Sequence, residues 1–293
     1  MRIVHLSDIH FWQYAFHPLR LMSKRLHGMV ALAAGRARRF ELAGVPRLVD
    51  RVRSLDPNHI LITGDLTTTA LPDEFRAALR ELIEPLGDPG RITILPGNHD
   101  RYTWWSHRSR RFERFLGAFA PADEYPWLRP IDDRTAILGL DPTRAAVTAR
   151  GKLPSAQLGS ARSLAESART RFDRLIVACH YPVAVPDAHV RELTGKRMIN
   201  AEEVRAWLAE IGPHLYCCGH VHAAWAHRPG EVPGQLSLNA GAPLLAHRPG
   251  RTLPGFLEIE LDGPDVTVHH HAWSGQEWMI RTLSRERGFF LTG

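Results

Sequence analysis

Ile92-Thr93-Ile94-Leu95-Pro96-Gly97-Asn98-His99-Asp100 carries the decisive pattern of this chain. A short aliphatic and β-branched run stops at Pro-Gly and breaks into amide, imidazole and carboxylate side chains. Runs this short, bounded by Gly or Pro, read as buried strands that end in a polar loop. The same grammar recurs on both sides of it. Ile3-Val4-His5-Leu6 leads into Ser7-Asp8-Ile9-His10, and Ile60-Leu61-Ile62 into Thr63-Gly64-Asp65. Leu175-Ile176-Val177-Ala178-Cys179 leads into His180, and Leu215-Tyr216-Cys217-Cys218 into Gly219-His220-Val221-His222.

Helical periodicity fills several of the intervals, over residues 46–55, 73–84, 155–168 and 201–211. The last opens with Asn200-Ala201-Glu202-Glu203, the spacing of a capping box. Strand and helix in alternation predict an α/β architecture. Ligands of open α/β sheets sit beyond the carboxyl ends of the strands, where all five polar clusters fall, so the clusters can converge on one place. The last third changes character. Residues 235–239, 255–261 and 266–270 read as strands with tight turns between them, such as Asp262-Gly263-Pro264. No internal repeat is visible, and a single domain over 1–293 with a β-rich C-terminal layer is the simplest organisation.

Composition bounds the function classes. With 293 residues, 44% hydrophobic and 23% charged, the chain has the make-up of an ordinary globular protein. The net charge of +6 points to anionic partners. Three cysteines, Cys179, Cys217 and Cys218, form no CxxC pair and lie in or beside apolar runs. They read as small hydrophobes in a reducing cytoplasm, not as a disulfide framework or a zinc knuckle. The N-terminus lacks the apolar stretch of a secretory signal, and no apolar run approaches a membrane span.

Collected from the strand ends, Asp8, His10, Asp65, Asn98, His99, His180, His220 and His222 make an imidazole, carboxylate and amide set without a thiolate. Such donors suit divalent or trivalent Mn, Fe, Zn or Co ions. They are too many for one ion with an open position, and enough for two if one carboxylate bridges. Two ions roughly 3.5–4 Å apart can clamp the attacking and leaving oxygens of a displacement at phosphorus. A hydroxide shared between them would be a strong nucleophile at neutral pH.

Asp8-Ile9-His10, Gly64-Asp65, Gly97-Asn98-His99-Asp100, His180 and Gly219-His220-Val221-His222, in this order and each behind a strand, resemble the calcineurin-like metallophosphoesterases. The flanking His5-Leu6-Ser7 and Leu66-Thr67 look most like the branch with bacterial cyclic-nucleotide phosphodiesterases. The resemblance implies a four-layer α/β/β/α sandwich of two sheets with helices outside. It implies Asp8, His10 and His222 on a first metal, Asn98, His180 and His220 on a second, and Asp65 bridging. It also implies a catalytic His99 facing the phosphoryl oxygens or the leaving group, with Asp100 orienting it. The activity it implies is phosphodiester hydrolysis by attack of a metal-bridging hydroxide. UDP-diacylglucosamine hydrolases, relatives that act on a lipid-linked pyrophosphate, are the alternative, and a nuclease follows. A scaffold that has lost the chemistry would show gaps in the ligand set, and here every position is filled.

Two segments lie outside this frame. From residue 18 to residue 53 nine Lys or Arg face only Glu41 and Asp50, an excess that accounts for the whole net charge. Apolar residues from Leu19 to Phe40 recur there at helical spacing, which predicts a basic amphipathic helical insertion at about 18–45. It reads as a solvated cap, a peripheral membrane or lipid contact, or a nucleic-acid groove. A second basic stretch, with Trp104, Trp105, Arg108, Arg110, Arg111 and Arg114, follows the Asn98-His99-Asp100 motif. Finally, His269-His270-His271 is explained better by alternation along a terminal strand than by another metal site.

Overall fold

The computed structural model describes residues 1–13, 39–146, 148–247 and 252–291. Strand β1 (Arg2–Leu6) is buried from Ile3 onward, and its residues are divided between two cores. Val4 and Leu6 join Ile60 and Ile62 in a cluster under helices, while Ile3 joins Leu61 and Ile259 in a cluster between two sheets. The two-residue period of a strand makes this division possible.

β1 pairs in parallel with β2 (His59–Ile62), which pairs in parallel with β3 (Ile92–Ile94). On its other edge β1 runs antiparallel to β10 (Gly255–Asp262), followed outward by β11 (Asp265–Trp273) and β12 (Trp278–Glu286). The second sheet has the order β4 (Trp127–Pro130), β5 (Thr135–Gly139), β6 (Arg174–Ala178), β7 (His214–Cys218), β9 (Gln235–Ala240) and β8 (Ala224–His227).

Helices cover the outer faces. On the first sheet lie α1 (Val45–Ser54), α2 (Pro72–Ala78) and, after the short α3 (Trp104–Arg108), α4 (Arg111–Leu116). On the second lie α5 (Ser155–Arg169) and α6 (Ala201–Glu210). In α1 the spacing of Val45, Leu48, Val49 and Val52 puts one apolar stripe against the sheet. Each such side chain contributes roughly 1.5–3 kcal/mol by leaving water. The layers are therefore helix, sheet, sheet and helix, as the resemblance implied.

Most predicted elements stand within a residue or two, and α2 continues through a π-helical stretch, Leu79–Ile83, to Leu86. Strands β4, β8 and β12 have exposed or half-buried positions that hide their pattern in the sequence, and β5, though buried throughout, is a further strand beyond those expected. Asn200 stands at the N-cap of α6, as expected, but its side chain makes no capping bond. Its Oδ1 accepts from Leu153 N at 3.0 Å and its Nδ2 donates to Leu153 O and Glu203, both at 2.9 Å. The side chain is thus spent on tying α6 to the segment before α5. Of the predicted insertion at 18–45, residues 18–38 lie outside the described residues. Its end is not helical at Phe40, which bridges Leu245, and becomes a 3-10 turn at Leu42–Gly44. The histidine triplet is on β11, covered at its edge by β12. His271 is fully buried against Glu258 at 2.7 Å. Among the described residues, none of the triplet belongs to a metal-ligating group. No helix among the described residues is long and apolar enough to cross a membrane.

Candidate metal centre

Four side chains of the motif loops have left-handed backbone: Asp8 (φ 54°), His10 (φ 57°), Asp65 (φ 54°) and His220 (φ 70°). This conformation is uncommon outside glycine and persists only where the surroundings impose it. Backbone hydrogen bonds impose it here. Asp8 N donates to Gly64 O (3.0 Å), His10 N to Asp65 O (2.9 Å) and Phe11 N to Leu66 O (2.7 Å), so the loops after β1 and β2 are zipped together beyond the strands. The third loop is tied on by Asp100, whose carboxylate accepts from Gly97 N, Thr67 N and Thr67 Oγ1, each at 2.9 Å. Glycine is required where these loops touch the carboxylates. A Cβ on Gly97 would lie 2.1 Å from Asp65 Oδ1, and one on Gly219 would lie 1.9 Å from Ser7 Oγ.

The loops bring together Asp8, His10 and His222 in one group and Asp65, His180 and His220 in another, the potential ligand atoms of each within 4.8 Å of one another. In the first, Asp8 Oδ1 is 3.3 Å from His222 Nε2 and 3.7 Å from His10 Nε2. In the second, Asp65 Oδ2 is 3.3 Å from His180 Nε2. The same Oδ2 is 3.8 Å from His10 Nε2, so Asp65 stands between the two groups. His99 joins Asp65 and His10 in a third grouping. His99 and His222 are half-buried and mark the mouth, while the other ligand candidates are buried.

Second-sphere carbonyls orient the rings. His180 Nδ1 donates to Thr63 O and His99 Nδ1 to Thr68 O, both at 2.7 Å, and His220 Nε2 donates to Lys196 O at 3.2 Å. A carbonyl partner fixes the tautomer and leaves the opposite nitrogen as a lone-pair donor. The carboxylate expected to orient His99 is thus replaced by the Thr68 carbonyl, and Asp100 is occupied with the loop backbone. Sequence reasoning missed Thr63, Thr68 and Lys196 because a main-chain acceptor leaves no side-chain signal.

Electrostatics favour a cation. Burial pushes the Asp8 carboxyl up, but the hydrogen bond and charge of His222, with the charge of His180, outweigh it and hold it below the carboxylate range. Asp65 behaves alike, with His180 and His99 outweighing burial. For His180 burial acts downward, but the charge and hydrogen bond of Asp65 outweigh it and raise it to about 9, so the field at Nε2 favours positive charge. Burial and the charge of His180 push His220 down to about 3, which keeps its lone pair available. Asn98 Oδ1 is a buried acceptor with no hydrogen-bond donor, and Asp8 Oδ1 and His180 Nε2, also buried, face only other ligand candidates at 3.3 Å or more. Buried polar atoms without partners are costly, and a metal ion would satisfy all three. The residues present fit a metal centre.

A family model for calcineurin-like phosphoesterases matches residues 1–224. The chain belongs to that family. A calcineurin-like phosphoesterase is a hydrolase of phosphoric esters, and solved structures share the fold of this chain. A dimetal phosphatase from Danio rerio superposes with a TM-score of 0.64 at 14% identity, covering 97% of this chain and 99% of that one. A purple acid phosphatase from yellow lupin gives 0.62 at 14% identity, covering 100% of this chain and 55% of that one. GAP50, described as an anchor in the inner membrane complex of Plasmodium, gives 0.56 at 10% identity, covering 98% and 89%. No curated protein sequence matches the phosphoesterase chain.

Proposed function

We propose that this calcineurin-like phosphoesterase hydrolyses a phosphodiester of a small organic phosphate. Two metal ions would be held, one by Asp8, His10 and His222 and the other by Asn98, His180 and His220, with Asp65 shared. The observation that carries the reading is the position of Asp65 Oδ2 between His180 and His10, which joins two ligand groups through one carboxylate. Nitrogen and oxygen donors without a thiolate suit Mn, Fe, Zn or Co. Bound there, the ions would supply Lewis acidity toward phosphoryl oxygens and lower the pKa of water.

The chain's own residues do the rest. His99, half-buried at the mouth, has Nδ1–H committed to Thr68 O, which leaves Nε2 to meet the substrate and, in the protonated ring, to hand its proton to the leaving oxygen. Tyr102 stacks on the His99 ring, 5.4 Å between centroids at 14°, and limits its rotation. Asp100 holds the loop that carries Asn98 and His99. The three cysteines are free and buried, which supports a reducing cytoplasm as the place of action.

The test is hydrolysis of bis(p-nitrophenyl) phosphate by metal-stripped protein before and after Mn²⁺ is added, with p-nitrophenyl phosphate alongside. Metal-restored turnover that favours the diester is expected. Turnover of the monoester alone, or none with any first-row metal, would overturn the diesterase reading.

A further inference from the structure

Trp104 and Trp105, two and three residues beyond the Tyr102 that stacks on His99, are 54% and 67% exposed in a protein that buries most of its large apolar side chains. Their rings meet edge to face, 4.8 Å between centroids at 79°. Their placement is built in. Thr103 Oγ1 accepts from Ser106 N at 3.1 Å while Thr103 N donates to Ser106 Oγ at 2.9 Å, and both residues are buried. This reciprocal cap anchors α3 directly after Tyr102, the residue stacked on His99.

Next to the tryptophans is a shallow cleft of about 350 Å³ lined by Arg108, Ser109, Arg110, Glu113, Arg114 and Asp123. Its two acids are already engaged. Glu113 receives the buried guanidinium of Arg101 at 2.6 Å, and Asp123 pairs with Arg110 at 3.2 Å. Among the described residues, Arg108 and Arg114 have no carboxylate partner, and the Arg108 guanidinium lies over the Trp104 ring at 5.4 Å. The patch is therefore apolar at its tip and carries surplus positive charge behind it.

We propose that α3 and this arginine cleft dock the protein on an anionic lipid bilayer, with the mouth of the metal centre at the membrane surface. Tryptophan suits that boundary, since its ring is apolar and its N–H needs a polar neighbour. Arginines behind it would meet lipid phosphates. Stacked nucleobases fit less well. Two bases in a row need parallel ring faces, whereas these rings stand at 79° and Arg108 covers Trp104. The proposal rests on this surface alone and holds whichever phosphoester the centre cleaves.

The experiment is co-sedimentation of the full chain with phosphatidylcholine vesicles containing either no anionic lipid or about 30 mol % phosphatidylglycerol, at low salt and at about 0.5 M salt. Binding to the anionic vesicles, reduced by salt, with a blue shift of tryptophan emission is expected. W104S/W105S and R108Q/R114Q should each weaken it by about tenfold or more. Turnover of bis(p-nitrophenyl) phosphate in solution should be unchanged in both, which shows that they fold. Full binding by folded W104S/W105S would assign membrane contact to another surface and overturn the proposal. So would absence of vesicle binding, or salt-sensitive capture of single-stranded oligonucleotide in its place.

Discussion

The ring of Phe40 packs on the imidazole of His10, 4.4 Å between centroids, and reaches that of His222 at 5.6 Å. Phe40 is 3% exposed and so walls off one flank of the Asp8, His10 and His222 group. Phe40→Ala should lower metal affinity at that group by about 10–100-fold, the range for losing support of a ligand. It should also destabilise the fold by about 3–5 kcal/mol. Metal content after dialysis and a urea midpoint measure the two effects, and Phe40→Leu should recover most of both. Unchanged metal retention in Phe40→Ala would leave Phe40 a packing residue only.

Asp65→Ala should empty both metal positions and abolish turnover, because Oδ2 faces His180 at 3.3 Å and His10 at 3.8 Å. Elemental analysis of the purified variant decides this. One ion retained at full occupancy would show that the carboxylate is not shared.

His99→Ala should keep the metal content and slow the chemical step by about 10²–10⁴-fold, the contribution of a positioned proton donor. Single-turnover rates across pH separate this from weaker binding. A rate equal to that of the parent protein would remove His99 from the reaction.

Asp100→Asn should act through stability. The carboxylate accepts three bonds from Gly97 and Thr67, and an amide NH₂ facing those donors costs about 1–3 kcal/mol. Denaturation midpoints should fall, and the pH profile of turnover in the folded fraction should not move. A displaced pH profile at unchanged stability would return Asp100 to the role of orienting His99.

His59 tests the buried histidines. Burial, with the charges of Arg129 and Arg91, pushes it from 6.5 down to about 3, and its Nε2 bonds Thr93 Oγ1 at 2.8 Å. Between those values the unfolded chain takes up a proton that the folded chain refuses. The stability tied to neutral His59 is therefore complete above 6.5 and is lost as pH falls toward 3. Relative to His59→Gln, the parent protein should lose up to about 1.4 kcal/mol per pH unit below that point. Urea midpoints from pH 7.5 to 5 measure the gap, and a gap that stays constant would mean that His59 titrates alike in both states.

Much of the site was legible in the chain because its units are local. An apolar run followed by Gly and then Asp, Asn or His specifies a strand and the loop at its end, and the order of five such units pointed to the family. The residue types alone also implied metal donors and a shared carboxylate. Which groups face each other is not local. His220 N reaches Asp8 Oδ2 at 2.9 Å across 212 residues of sequence, and that meeting depends on how two sheets pack, not on any period within them. The same holds for the left-handed backbone at Asp8, His10, Asp65 and His220, which neighbouring loops impose. Phe40 sits on His10 because of a bridge to Leu245, a contact between distant segments that hydrophobic spacing cannot encode. The partners of Asp100 are hidden for a related reason, since a buried carboxylate goes to the nearest N–H donors, and only the folded loops place Gly97 and Thr67 around it. Local periodicity thus determined the strands and the chemistry at their ends, while tertiary packing decided which atoms share a cation, which hold the loops and which face the solvent.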